Sequence, residues 1–144
     1  MKIYILLTIS ALLTGCVSTK YLTQEPQFEN ELGNKRLTQS AVICSVRNDA
    51  MFEQNLPSLK LYKNSLSGKC PKGKIVSMLP VGAFIEFNKV SRTNLFLLFH
   101  TEHWFLEGSV VINNKRERFY YYWGITDCCN NTPPMWEREP KFWQ

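Results

Sequence analysis

From about Leu37 onward, apolar and polar residues exchange places at every second position. Val42, Cys44 and Val46 alternate with Ile43 and Ser45, and Leu59 and Leu61 with Lys60 and Tyr62. Val81, Ala83, Ile85 and Phe87 alternate with Phe84, Glu86 and Asn88. Leu106, Gly108, Val110 and Ile112 share one parity, and Phe119, Tyr121 and Trp123 close the series. Successive side chains of an extended strand point to opposite faces, so a period of two marks strands. Turn formers separate the runs: Asn48-Asp49, Pro57, Ser67-Gly68, Pro71, Gly73, Pro80 and Asn113-Asn114. Asn tolerates the positive φ of a two-residue hairpin, so Asn113-Asn114 joins the strand ending near Ile112 to the one reaching Trp123. Beyond residue 36 no segment carries a helical stripe of two turns. The pattern predicts an all-β domain, a small antiparallel barrel or sandwich.

The first 36 residues follow a different rule. Ile3 to Leu13 is an apolar run without charge, preceded by Met1-Lys2. It falls short of the roughly 20 residues needed to cross a bilayer core and fits the apolar region of a secretory signal. It ends in Leu13-Thr14-Gly15-Cys16, which resembles the lipobox of bacterial lipoproteins. The resemblance implies cleavage between Gly15 and Cys16, a diacylglycerol thioether on the Cys16 sulfur and a fatty acyl group such as palmitate on the new amino terminus. Cys suits this role because its thiol is a soft nucleophile. Val17, rather than Asp, follows the lipidated position, which in enteric bacteria resembles the class sent to the outer membrane. Residues 16–36 are polar and interrupted by Pro26 and Gly33, and read as a tether. A flexible segment of about 20 residues reaches roughly 25 Å. Within it, Gln27 to Leu32 has room for one helical turn stopped by Gly33. The expected organisation is a signal peptide (1–15), a lipidated tether (16–36) and a β domain (37–144).

Leu79-Pro80-Val81-Gly82-Ala83-Phe84-Ile85 resembles the turn and strand of bacterial SH3-like domains. That likeness implies a small barrel of a kind that binds peptidoglycan or short peptides. Ala83 stands where those domains carry Thr, and no ligand-contacting residue carries over.

After Thr126 the alternation stops. Pro133-Pro134 excludes a regular element, and Trp136, Phe142 and Trp143 are expected to fold back over the core, since water is a costly environment for them. Besides Cys16 the chain holds Cys44, Cys70, Cys128 and Cys129. An even number in an exported domain points to two disulfides. Pairing Cys128 with Cys129 would strain a bridge across Cα atoms only about 3.8 Å apart. The expectation is therefore crossed pairing, with Cys44 and Cys70 each joined to one of the adjacent cysteines, stapling the tail to the domain.

Composition adds limits. A net charge of +5 is a mild excess without a dense basic run, which argues against a nucleic-acid partner. Lys69-Cys70-Pro71-Lys72-Gly73-Lys74 and Lys115-Arg116-Glu117-Arg118 are basic turns that suit anionic headgroups or wall polymers. His100, Glu102 and His103 lie close in sequence, yet they lack the helical i, i+4 spacing of a zinc-binding pair and read as a polar turn. No two cysteines show zinc-site spacing, and no serine elbow or phosphate-cradling glycine loop occurs. No catalytic residue, metal or cofactor is expected. The sequence reads as a membrane-anchored envelope lipoprotein, a binding or structural module for an envelope protein or peptidoglycan. The alternative is a periplasmic inhibitor or immunity protein acting on a hydrolase or toxin.

Overall fold

The computed structural model describes residues 16–63, 69–96, 100–127, 137 and 140–144. The signal segment before Cys16, the pair Cys128-Cys129 and Trp136 lie outside those residues. Within them the chain is all-β, as the alternation predicts. The strands are β1 (Cys16–Tyr21), β2 (Gly33–Arg36), β3 (Ala41–Ser45), β4 (Leu59–Lys63), β5 (Lys74–Leu79), β6 (Phe84–Phe96), β7 (His100–Ile112) and β8 (Lys115–Asp127). They form one mixed sheet in the order β1-β6-β7-β8-β4-β3-β5, with β2 also paired to β6. Among the described residues only β4 and β8 run parallel. The Asn113-Asn114 hairpin forms as expected, with φ of 51° and 62°. The turn at Pro80–Gly82 leads into β6, with the Ala83 amide donating to the Pro80 carbonyl at 3.1 Å.

Besides a register shift in β5 opposite Ile43 and Cys44, two β-bulges among the described residues decide what the faces of the long strands present. One extra residue, Asn88, sits between Phe87 and Lys89 of β6, and β8 is irregular opposite Trp104 and Phe105. An extra residue reverses side-chain parity along a strand. Hence Ile85 and Phe87 face the core before the bulge and Val90 faces it afterwards, while Lys89, Ser91 and Thr93 turn to the opposite side. On the core face Leu106, Val110, Phe119, Trp123, Ile43 and Leu61 pack with Phe28 and Leu37. The opposite face mixes buried aromatics with charge.

The segment expected to be a tether is instead part of the fold. β1 pairs along its whole length with the far half of β6, from Cys16 opposite Phe96 to Tyr21 opposite Ser91. Pro26–Glu31 forms a 3-10 turn, close to the single turn expected, and Phe28 from it is buried under the core. Gly33 follows with φ of 86° and opens β2. Val17, Thr19 and Tyr21 share a parity, and their β-branched and aromatic side chains satisfy a strand.

The tail does return to the core. Arg36 and Gln144 exchange backbone hydrogen bonds at 2.7 and 2.9 Å, and Thr38 donates to the Phe142 carbonyl at 2.9 Å. Phe142 and Trp143 are buried, with ring centroids 4.8 Å apart, and Trp143 lies 5.0 Å from Phe87.

The crossed disulfide expectation is overturned, because Cys44 is bonded to Cys70. β5 pairs with β3, and the turn before β5 folds the chain back so that the two Cα atoms stand 5.9 Å apart. Gly73 makes that approach possible. Its φ is 83°, and a Cβ there would lie 1.7 Å from the Ser45 carbonyl oxygen. The bond closes a separation of 26 residues around β4. Replacing both cysteines (Cys44→Ala with Cys70→Ala) is expected to lower unfolding free energy by about 3.5 kcal/mol, the loop-closure entropy of such a ring. Urea denaturation checks this, and nonreducing peptide mapping should recover Cys44 and Cys70 in one linked fragment.

Candidate functional site

The polar face of the sheet is covered by the loop between β3 and β4, and the manner of its attachment shapes the site. Asn48 anchors one end: its Nδ2 donates to the carbonyls of Leu56 and Pro57 at 2.9 and 3.0 Å. In the middle, Met51–Glu53 forms a short 3-10 turn. This turn presses Phe52 and Glu53 onto the sheet. Phe52 stacks on His103 of β7, with centroids 3.9 Å apart and planes 7° from parallel. Glu53 Oε1 accepts from the Tyr120 hydroxyl and from Lys60 Nζ, each at 3.0 Å.

Lys60 is enclosed as well as paired. Its ammonium lies 5.4, 5.1 and 5.3 Å from the ring centroids of Tyr62, Tyr120 and Tyr122. Ring faces are electron-rich and attract cations within about 6 Å. The parallel contact of β4 with β8, Lys60 opposite Tyr120, brings these groups together. Burial and the nearby Glu53 carboxylate both push the Tyr62, Tyr120 and Tyr122 hydroxyls above the ordinary phenol value. These tyrosines therefore stay neutral donors at physiological pH. The Tyr122 hydroxyl shares a hydrogen bond with His103 Nδ1 at 3.1 Å.

Further along the same face, Glu107 is buried at the centre of β7. Lys89 reaches one carboxylate oxygen at 3.1 Å and Arg118 the other at 3.5 Å. Between this carboxylate, the inner side of the 51–56 loop and β1 lies a cavity of about 320 Å³. Thr19 and Tyr21 of β1, Ser91 and Thr93 of β6, and Asn55 of the loop contribute to its wall. The volume sits at the small end of ligand pockets, roughly 300–1,000 Å³. A few convergent polar groups on a rigid sheet are what a binding site needs, and the loop supplies a roof.

The residues singled out from sequence are dispersed. His100–His103 is no turn: it opens β7, because the pairing with β6 continues to Phe96 opposite His100. Only the backbone of His100 is described. Glu102 and His103 lie on opposite faces, Glu102 with Arg92 at 3.3 Å and with the Thr126 hydroxyl at 3.1 Å. They form no joint acid–base pair. Among the described residues no group of three or more His, Cys, Asp or Glu side chains is placed to hold a metal ion. Lys115 and Arg116 are paired with Glu117 and Glu86, and Arg118 serves Glu107. Lys69, Lys72 and Lys74 stand exposed beside the disulfide. The cavity residues and the Glu53 cluster were not marked by any local motif; their signal lies in pairing between distant strands. Comparison of the chain with protein-family models, with curated proteins and with solved structures finds no match.

Desolvation pushes the His103 imidazole below its ordinary value, with Glu53 pulling partly the other way. The unfolded chain thus takes up this proton at higher pH than the folded one. Stability contributed by neutral His103 is present above about pH 6.5 and is lost as pH falls through the depressed folded value. The thermal midpoint is expected to drop between pH 7.5 and 5.5, and to drop less in His103→Phe, which keeps the ring stack. Equal slopes in the two proteins would assign the loss to another group.

Proposed function

We propose that this chain is an envelope lipoprotein, attached to a membrane through Cys16, that binds another envelope component and performs no covalent chemistry of its own. The observation that carries the reading is the N-terminal pattern of Met1-Lys2, an uncharged apolar run and Leu13-Thr14-Gly15-Cys16, which resembles a lipoprotein signal. Cys16 itself belongs to β1, the first strand among the described residues. Processing before Cys16 would leave every described strand intact. The outer membrane is the expected destination, from Val17.

The binding role draws on the polar face. Its buried carboxylates are matched by cations or hydroxyl donors, and its histidine is stacked and hydrogen-bonded, so these groups serve architecture and recognition. The partner we favour is a cell-wall component reaching the roofed cavity. An envelope protein is the other partner of this kind, and β5 gives it a surface: the strand closes one side of the sheet with Ile75, Val76 and Met78 all exposed.

Mass spectrometry of the mature N-terminal peptide is expected to show an acylated Cys16 as the first residue, with the protein in the membrane fraction. Cys16→Ser is expected to lose the acyl mass and to leave that fraction or remain unprocessed. A wild-type peptide without lipid, together with identical fractionation of the variant, would end the reading.

A further inference from the structure

The cavity under the 51–56 loop contains a hydroxyl that the fold leaves idle. Ser91 is 1% exposed, and its Oγ has no hydrogen-bond partner among the described residues. Buried polar side chains are nearly always partnered, so such a group calls for an explanation. Ser91 belongs to the cavity wall, midway along β6, where Tyr21 of β1 and Phe105 of β7 are its register partners. Next to it the Thr19 and Thr93 hydroxyls bond each other at 3.0 Å. One proton closes that bond, which leaves the pair a second proton and spare lone pairs. Gln54 and Asn55 supply amides from the roof. Tyr21 stands more than half exposed at the mouth, with Lys89 Nζ 3.9 Å from its ring centroid.

These groups exclude most ligand classes. A cation would find the Glu107 carboxylate already engaged by Lys89 and Arg118. An anionic group seated inside the cavity would meet that carboxylate at close range. A purely apolar molecule would bury Ser91 and the threonine pair without relief. What remains is an uncharged molecule with several hydroxyls and one apolar side. A sugar ring has this character: its hydroxyls both donate and accept, and its C–H face packs on an aromatic ring. We propose that the cavity binds one or two sugar units of an envelope glycan, with Ser91 and the Thr19–Thr93 pair hydrogen-bonding ring hydroxyls and Tyr21 flanking the ring. This deepens the binding role proposed above and rests on it only for the source of the glycan.

The test is calorimetric titration of the full-length protein in detergent micelles. The probes are the β-1,4-linked disaccharide of N-acetylglucosamine and a soluble muramic-acid-containing fragment of peptidoglycan. Saturable binding is expected, weakened at least tenfold by Ser91→Leu, which fills the cavity, and unchanged by Val111→Ser on the exposed end of β7. Should Ser91→Leu lose its β-sheet circular dichroism, Thr19→Val on the edge strand takes its place with the same expected weakening. Tighter binding of the muramic fragment identifies wall glycan as the source, and equal binding identifies N-acetylated glycans generally; either upholds the sugar site. No saturable binding of either probe at millimolar concentration overturns it, as does binding that Ser91→Leu and Thr19→Val leave unchanged. Acylated Cys16 together with a null titration removes the sugar ligand while leaving the anchored protein in place.

Discussion

A carboxylate held out of water governs the polar side of this molecule. Glu53 comes from a three-residue 3-10 turn that has no side-chain cap of its own. What fixes it is the ammonium of Lys60 and the hydroxyl of Tyr120, both 3.0 Å away. Burying two charges is expensive, and their attraction only roughly offsets the desolvation unless remaining groups are also satisfied. Here the tyrosine hydroxyl and three ring faces complete the arrangement. Such a pair adds little net stability against an apolar substitute, but losing one member strands the other at a cost of about 3–5 kcal/mol. Its effect is therefore on geometry. The loop has one seat on the sheet, and with Phe52 locked over His103 the cavity beside it has a defined roof.

The sheet can support this because its faces have separate duties. Hydrophobic burial is concentrated on the side covered by Phe28, Leu37, Phe142 and Trp143. The other side is then free to hold charge. The bulge at Asn88 makes the division possible: without it, the parity that buries Phe87 would also bury Lys89, Ser91 and Thr93 against the core. One inserted residue thus changes which side chains meet Glu107 and line the cavity.

Much of the fold is legible from residue order, and the exceptions have physical causes. β3, β4, β7 and β8 follow the period of two of extended chain, although β3 and β7 are buried on both faces, and the Asn-Asn hairpin follows from the backbone freedom of Asn. β1 was hidden because Val17-Ser18-Thr19-Lys20-Tyr21 is polar in composition; its β-branched and aromatic residues at every second position were the available sign. Bulges leave no local mark beyond a change of parity, which looks like the end of a pattern. The link between Cys44 and Cys70 depends on the β3–β5 pairing, which spacing alone does not reveal. The cavity draws on β1, β6, β7 and a distant loop, so its chemistry becomes visible only when strands far apart in sequence lie side by side.

The pairing of Cys16 with β6 has a mechanical consequence. With Cys16 itself in register opposite Phe96, a lipid on that residue would have almost no slack between it and the sheet. The domain would stand on its membrane as a mast rather than float on a leash. At about 3.3 Å per residue, a 13-residue strand such as β7 is roughly 40 Å long. The Asn113-Asn114 tip would then sit at a nearly constant height above the headgroups, and the cavity would open at a fixed level below it. Reach and orientation would be properties of the strands themselves.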